Sequence, residues 1–207
     1  MVDHRATTHT DLTLRARALG VPTKVIHNAS IINAVSSCGL QLYNFGQVVS
    51  LPFFTDSWKP SSFYPKIKEN KDLGLHTLVL LGIILLDKNS NADIKVKEQS
   101  LENLARGRKI YEPPRYMSIA TACEQLLEIE EQEGQGVCAP DTLAVGLARV
   151  GADDEKIVAG TIEQLKDVDF GGPLHSMIVV GRNIHELEAE YLRGFMVDEK
   201  VLEGLVQ

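Results

Sequence analysis

The sequence predicts an α/β protein, because short strands rich in β-branched residues alternate along the chain with helices that begin at recognisable caps. The clearest helix follows Ser118, where apolar residues recur at the i, i+3, i+4, i+7 and i+8 spacing of one buried face: Ile119, Ala122, Cys123, Leu126 and Leu127. Two apolar strands, 142–151 and 175–181, come later in the chain. With 207 residues, 44% of them hydrophobic, the chain can bury one good core or two small ones.

The first predicted helix begins at an N-cap, Thr8, and ends at Gly20, before Pro22. The stretch TKVIH that follows predicts a short strand. It leads into a second helix, for which Ser30 is the predicted N-cap. A strand, a small polar turn and a helix N-terminus form a place where α/β folds bind ligands, because unpaired N–H groups collect there.

The middle of the chain predicts a second group of elements. Residues 47–51 and 76–81 read as strands, with a polar helix around 66–74 between them. The break near Asn44 predicts a domain boundary, which divides the chain into domains 1–44 and 45–207. The apolar run after the second strand exceeds ordinary strand length and ends in the turn-rich DKNSNAD, so residues 82–92 are predicted to be an insertion.

Two more caps are predicted towards the C-terminus. Thr161 and Gln164 form a capping-box signature for a short helix after the strand KIVAG. Asn183 with Glu186 is expected to open the last helix, whose inward residues would be Ile184, Leu187 and Tyr191.

Composition and charge exclude several classes of function. A net charge of −7 and a pI near 5.4 argue against general binding to nucleic acid or an anionic membrane, since both need a concentrated basic surface. The longest apolar run, LVLLGIILL, is far shorter than the roughly twenty residues of a membrane span. The three cysteines are widely spaced, with no histidine placed to complete a metal set. They are expected to be reduced, buried thiols of a cytoplasmic protein without a metal site.

The common catalytic signatures GxGxxG, GxxxxGK[ST], HExxH and GxSxG are absent from the sequence. The remaining candidates are turns next to predicted strands: Ser30 in NASI, Leu81 at the end of HTLVLL, Val150 in ARVG and His175 in GGPLH. His175 is either a ligand contact or a hydrogen-bonded loop residue. Ser30 is either a ligand contact or a plain helix cap.

A basic segment follows the predicted insertion. Residues 95–117 carry Lys95, Lys97, Arg106, Arg108, Lys109 and Arg115 against few acids. This surface either meets an acidic partner or is simply solvated, and charge alone does not distinguish the two.

Three long stretches resemble one known family closely. They are residues 6–46, residues 93–118 with the words GRKIYEPPRYM, and the pair VGLARVGADDEKIVAGTIEQL and GGPLHSMIV. Together they resemble the diphthine synthases, methyltransferases of diphthamide biosynthesis within the tetrapyrrole-methylase superfamily. The resemblance extends from Ala6 to about Tyr191, and it implies two α/β domains, a homodimer and S-adenosylmethionine held in a cleft.

The resemblance also implies a substrate and a set of contacts. The substrate would be a histidine of translation elongation factor 2 that already carries a 3-amino-3-carboxypropyl group, methylated to diphthine methyl ester. By their place in the family's motifs, Ser30, Ile31, Leu81, Val150 and His175 would contact S-adenosylmethionine. The basic segment would help to dock the elongation factor, so replacing Arg108 and Lys109 with Glu is expected to weaken factor binding.

The chain also departs from the family pattern. Family members read GDPxG just before ATTH, and here VDHR stands instead, with Asp3 in the place of that Asp. We therefore expect the first domain to be largely missing, with residues 1–44 as its remnant. One alternative is a catalytically inactive fragment that keeps a dimerisation or elongation-factor surface. Another is a methylase acting on tetrapyrroles, against which the GRKIYEPPRYM words argue.

Overall fold

The computed structural model describes residues 7–24, 29–84, 115–203 and 205. These residues divide into two units, one within Met1–Ala34 and the other within Val35–Gln207. The predicted domain boundary near residue 44 is not tested by this division and stays a prediction. The predicted strand TKVIH lies outside the described residues for all but its first two positions, as do Asp3, residues 85–92 of the predicted insertion and the basic segment up to residue 114.

The first unit contains the two predicted helices. Helix α1 is Thr7–Ala18, so Thr8 lies inside its first turn rather than before it. The chain leaves this helix through Gly20, whose φ of +68° is readily adopted only by glycine. Helix α2 is Ile31–Ala34, and the carbonyl of Ser30 accepts hydrogen bonds from the N–H groups of Asn33 and Ala34, as the residue before a helix does.

The second unit is built around a five-stranded mixed sheet, whose strands are β1 Val49–Leu51, β2 Thr77–Leu81, β5 Leu143–Ala148, β6 Lys156–Thr161 and β7 His175–Val179. Their order across the sheet is β1-β2-β7-β5-β6. Strands β1 and β2 are parallel, and the other neighbouring pairs are antiparallel. A separate two-stranded ladder pairs β3, Ile83–Ile84, with β4, Arg115–Tyr116. Strand β5 is buried along its whole length, as expected of an interior strand.

The helices described in the second unit are α3 Tyr64–Asp72, α4 Ile119–Glu133, α5 Ile162–Lys166 and α6 Glu186–Leu192. Short 3₁₀ helices lie at Val35–Cys38, Leu42–Asn44, Arg193–Phe195 and Glu199–Leu202. Within the described parts of the chain, no helix is both long and apolar enough to span a membrane. The alternation of strands and helices confirms the predicted α/β class.

Helix α4 forms as the sequence predicts. The hydroxyl of Ser118 accepts the N–H of Thr121, and Gly134 ends the helix with a φ of +63°. The predicted inward residues Ile119, Ala122, Cys123 and Leu126 are fully buried in the main core, and Leu127 packs against that core while partly buried. Helix α5 likewise has the predicted capping box between Thr161 and Gln164.

The expected start of the last helix is wrong by two residues. Helix α6 is capped by His185, which forms a capping box with Glu188, rather than by Asn183 with Glu186. The shift rotates the buried face of the helix, which now carries Glu188, Ala189 and Leu192. Ile184 is buried as expected, but Leu187 and Tyr191 are 62% and 56% exposed.

All three cysteines are free and buried, as predicted. Burial raises the pKa of the Cys38 thiol to about 11 and the pKa values of Cys123 and Cys138 to about 12. These thiols are therefore protonated at neutral pH, and they pack as small apolar side chains.

Candidate functional site

The ends of three strands meet at one edge of the second unit's sheet. Strand β7 lies between β2 and β5 and runs antiparallel to both, so its first residue lies beside their carboxyl ends. His175 pairs directly with Ala148, and Leu80 pairs with Ser176. The register therefore brings three candidates from distant parts of the sequence, Leu81, Val150 and His175, to the same edge.

The ring of His175 connects this edge to helix α4. Its Nδ1 accepts the N–H of Ile119 at 3.3 Å, and its Nε2 lies 3.0 Å from the carbonyl oxygen of Gly172. A carbonyl can only accept, so Nε2 must carry the proton and Nδ1 must be the acceptor, which agrees with the bond from Ile119. Burial lowers the pKa of His175 below its usual 6.5, although the carbonyls of Gly172 and Gly171 act in the opposite direction. The neutral ring thus uses both nitrogens on backbone groups.

Leu81 is fixed to the neighbouring strand and to the chain that enters α4. It pairs with Leu51 of β1, and the next N–H, of Gly82, donates to the carbonyl of Leu51 at 2.9 Å. The carbonyl of Gly82 accepts the N–H of Met117 at 3.1 Å. The Leu81 side chain is partly buried and packs against the core.

Two adjoining cavities open beside His175. One, of about 280 Å³, lies between the first turn of α4 and the loop 167–171. The other, of about 240 Å³, shares Ser118, Gly171 and His175 with the first and adds Tyr116, Met117 and Pro173. Leu81 and Val150 are not among the described residues that line these two cavities.

The wall of the larger cavity is mixed in character. The lining includes the apolar residues Ile119, Val168 and Phe170, of which Ile119 and Phe170 are almost fully buried, and Asp167 and Asp169 supply carboxylates. One oxygen of Asp169 accepts the N–H of Gly171 at 2.8 Å, which fixes the direction of that carboxylate. The two exposed carboxylates favour a ligand that carries a positive charge.

Sequence reasoning missed Arg149, which stands between the candidates. It is the one residue other than glycine with a positive φ, +50°, among those that the structure describes. Its guanidinium donates to the carbonyls of Phe170, Gly172 and Asp154. The sequence ARVG places Arg149 at the end of a predicted strand. No sequence pattern predicts its left-handed backbone conformation or the distant carbonyls to which its side chain donates.

The remaining candidates lie elsewhere. Ser30 and Ile31 belong to the first unit, where they form the cap and the first residue of α2. Asp3 is outside the described residues, as are Arg108 and Lys109. The assignment of all these residues to a ligand stays a prediction.

Curated proteins similar to this chain share one name. The chain is 58% identical over 202 residues to the diphthine methyl ester synthase of Emericella nidulans, covering 98% of this chain and 67% of that protein. It is 60% identical over 195 residues to the protein of the same name from Kluyveromyces lactis and 58% identical over 195 residues to that of Saccharomyces cerevisiae. Those alignments cover 94% of this chain, but only 62% and 61% of the relatives. The chain thus spans about two thirds of their length.

Solved structures give the same result. A crystal structure from Entamoeba histolytica with a provisional assignment as diphthine synthase matches with a TM-score of 0.78 and 42% identity, covering 93% of this chain and 67% of that one. A crystal structure of diphthine synthase matches with a TM-score of 0.68 and 32% identity, covering 93% and 62%. No family model matches the chain. The structural matches confirm the fold that the resemblance implied.

Proposed function

Since the chain belongs to the diphthine methyl ester synthase family, we propose that it is an S-adenosylmethionine-dependent methyltransferase of diphthamide biosynthesis. Its protein substrate would be translation elongation factor 2, methylated on the modified histidine to give diphthine methyl ester. The observation that carries the proposal is the meeting of Leu81, Val150 and His175 at one sheet edge, beside cavities lined by the loop before β7. In the second unit, these are the residues that the resemblance assigns to contact with the cofactor.

The residues beside His175 fit such a cofactor. The partly buried side chain of Val168 would contact the adenosyl group, and the carboxylates of Asp167 and Asp169 suit a sulfonium charge. In this proposal the backbone near Leu81, Val150 and His175 would hold the molecule, together with Ser30, Ile31 and Asp3. The His175 ring would set the position of its own backbone, because both of its nitrogens already have backbone partners.

The chemistry needs little from side chains. S-adenosylmethionine supplies a methyl group already activated by a positively charged sulfur. Bound there, it would supply that methyl group to the lone pair of the substrate nitrogen or carboxylate oxygen, and the electrons of the carbon–sulfur bond would stay on sulfur. A protonated substrate amine would first have to lose a proton to solvent, because only the neutral nitrogen has a lone pair to form the new bond. The protein's part is then to orient the partners in line and to exclude water.

Calorimetric titration with S-adenosylmethionine tests the binding half of the proposal. We expect micromolar affinity, equivalent to about −8 kcal/mol. Ala120 lines the larger cavity, so Ala120→Phe should fill it and weaken binding at least tenfold. Glu124→Phe places the same ring one turn later on the exposed side of α4 and should bind like the parent chain. Absence of heat with the parent chain would instead support a fragment that does not bind the cofactor.

Transfer of a labelled methyl group tests the reaction itself. Elongation factor 2 carrying the 3-amino-3-carboxypropyl histidine should accept label, whereas factor with unmodified histidine should not. We further propose that Arg108 and Lys109 help to dock the factor, so that their replacement by Glu weakens factor binding without changing cofactor affinity. A homodimer and a cytoplasmic location complete the proposal, and sedimentation of the purified chain measures the first of these.

A further inference from the structure

Arg149 lies where β5 ends and the turn towards Val150 begins. Its N–H donates to the carbonyl of Leu174 at 2.9 Å, and its own carbonyl accepts the N–H of Ala152 at 3.0 Å. Its positive φ turns the chain sharply out of the sheet, a conformation that residues with side chains rarely adopt. A residue is kept in such a conformation only when its surroundings hold it there, and this occurs most often at functional sites.

The side chain of Arg149 supplies that hold by connecting two loops. One terminal nitrogen donates to the carbonyls of Phe170, at 2.8 Å, and of Gly172. The other donates to the carbonyl of Asp154 at 2.9 Å, and Nε lies 2.6 Å from a carboxylate oxygen of Asp154. The guanidinium thus lies between the turn after β5 and the loop before β7, and it is only 18% exposed.

The loop that Arg149 holds forms part of the cavity wall. Phe170 and Gly171 line the larger cavity, and the carbonyl of Gly172 also receives the Nε2–H of His175. The same carbonyl therefore fixes both the arginine and the histidine. Without the guanidinium, the loop would lose its attachments at the carbonyls of Phe170 and Gly172, just before the chain enters β7.

The loop has a second anchor that does not depend on Arg149. Phe170 is 3% exposed and packs over Gly146 so closely that a Cβ there would lie 2.4 Å from its ring. Lys156 donates to the carbonyl of Asp169 and lies over the Phe170 ring. A chain that lacks the Arg149 guanidinium should therefore keep its fold and lose mainly the exact course of residues 171–174.

We propose that Arg149 is a positioning residue for cofactor binding, which sets the backbone at Val150 and at residues 171–175, next to the cavities beside His175. This inference rests on the proposed function, since it assumes that the cleft takes S-adenosylmethionine. A lysine cannot replace the arginine, because its single ammonium group cannot reach acceptors on two opposite loops in a fixed planar geometry.

The test compares Arg149→Gln and Arg149→Lys with a matched control, Arg182→Gln. Arg182 is 62% exposed and has one ion pair, to Asp72, at 3.3 Å. Each full-length chain is titrated with S-adenosylmethionine, its melting temperature is measured, and hydrogen exchange is followed for the amides of residues 170–175. Where methyl transfer is measurable, KM for the cofactor and kcat are determined separately.

We expect both Arg149 variants to bind the cofactor at least tenfold more weakly, with Lys recovering at most part of the loss, and the control to bind like the parent chain. KM for the cofactor should rise while kcat changes less than threefold, and exchange should increase at residues 170–175. Parent-like affinity in Arg149→Gln would overturn the inference alone. A lower melting temperature with unchanged affinity would show a purely structural role and would also overturn it. No binding by the parent chain would overturn the proposed function, and the inference with it.

Discussion

Replacing Glu188 with Gln tests what holds the segment before β1 against the last helix. Glu188 is 1% exposed, and its carboxylate receives three hydrogen bonds. One oxygen accepts the N–H of Gln41 at 2.8 Å and the amide of Asn44 at 3.3 Å, and the other accepts the N–H of His185 at 2.9 Å. The group therefore ties together residues that are almost 150 positions apart in the sequence.

The carboxylate form of Glu188 is the one that the structure stabilises. Burial alone would raise the pKa of this carboxyl, but the N–H groups of Gln41 and His185 outweigh it and lower the pKa below the usual value. A glutamine keeps one acceptor oxygen and turns its NH₂ towards the donors on the other side. One buried N–H is then left without an acceptor, which costs about 1–3 kcal/mol, and the remaining bonds lose their charge.

The expected loss for Glu188→Gln is therefore about 2–4 kcal/mol in the free energy of unfolding. For a chain of this length it corresponds to a melting temperature lower by about 5–15 °C. Urea unfolding followed by circular dichroism measures this loss of free energy of unfolding. Glu190→Gln makes the same change at an exposed site on the same helix and should stay within about 0.5 kcal/mol of the parent. If Glu188→Gln also left the free energy of unfolding unchanged, the Glu188 carboxylate would not hold the segment before β1 against the last helix as proposed.

Two further changes probe backbone space and pH. Gly39 and Gly134 both have positive φ. A Cβ added at Gly39 would lie 2.3 Å from the Tyr191 ring, whereas a Cβ added at Gly134 would have no neighbouring heavy atom within 4 Å among the described residues. In urea unfolding, Gly39→Ala should therefore lose at least about 1 kcal/mol more than Gly134→Ala, and equal losses would contradict the crowding. Burial lowers the pKa of His76 below 6.5, so the unfolded chain takes up a proton there first and the free energy of unfolding should fall from pH 7.5 to 5.5. His76→Gln should show a smaller fall, and an unchanged fall would place the titration elsewhere.

Local signals in the sequence predict α4 and miss the start of α6 for an identifiable reason. The cap and the buried face of α4 come from residues within one helix, so periodicity and Ser118 suffice. For the last helix, Asn183 with Glu186 and His185 with Glu188 have the same three-residue spacing. In the structure, the cap formed by His185 and Glu188 is accompanied by a hydrogen bond from the N–H of Gln41 to Glu188. Because Gln41 and Glu188 are far apart in the sequence, no local pattern predicts this bond.

The candidate site shows the same division between local and distant information. The alternation of apolar strands and turns along the chain is enough to predict that Leu81, Val150 and His175 lie at or next to strand ends. They lie at the same edge because β7 is placed between β2 and β5 and runs antiparallel to both. The order of strands in a sheet cannot be predicted from the sequence of any single strand. Arg149 depends on both the order and the loop that follows, so nothing in the sequence separates it from an ordinary surface arginine.

The absence of familiar catalytic motifs is consistent with a site that works through its backbone. A motif preserves side-chain types, because metal ligands and nucleophiles react through those atoms. Around this cleft the polar side chains of Arg149 and His175 instead bind carbonyls and an N–H group, and Leu81 turns its side chain to the core. A cofactor held by the backbone would tolerate changes at the contact positions more readily than changes at the residues that fix the loops. The expected difference in cofactor affinity between Arg149→Gln and the exposed control Arg182→Gln therefore tests whether residues that fix the loops determine binding.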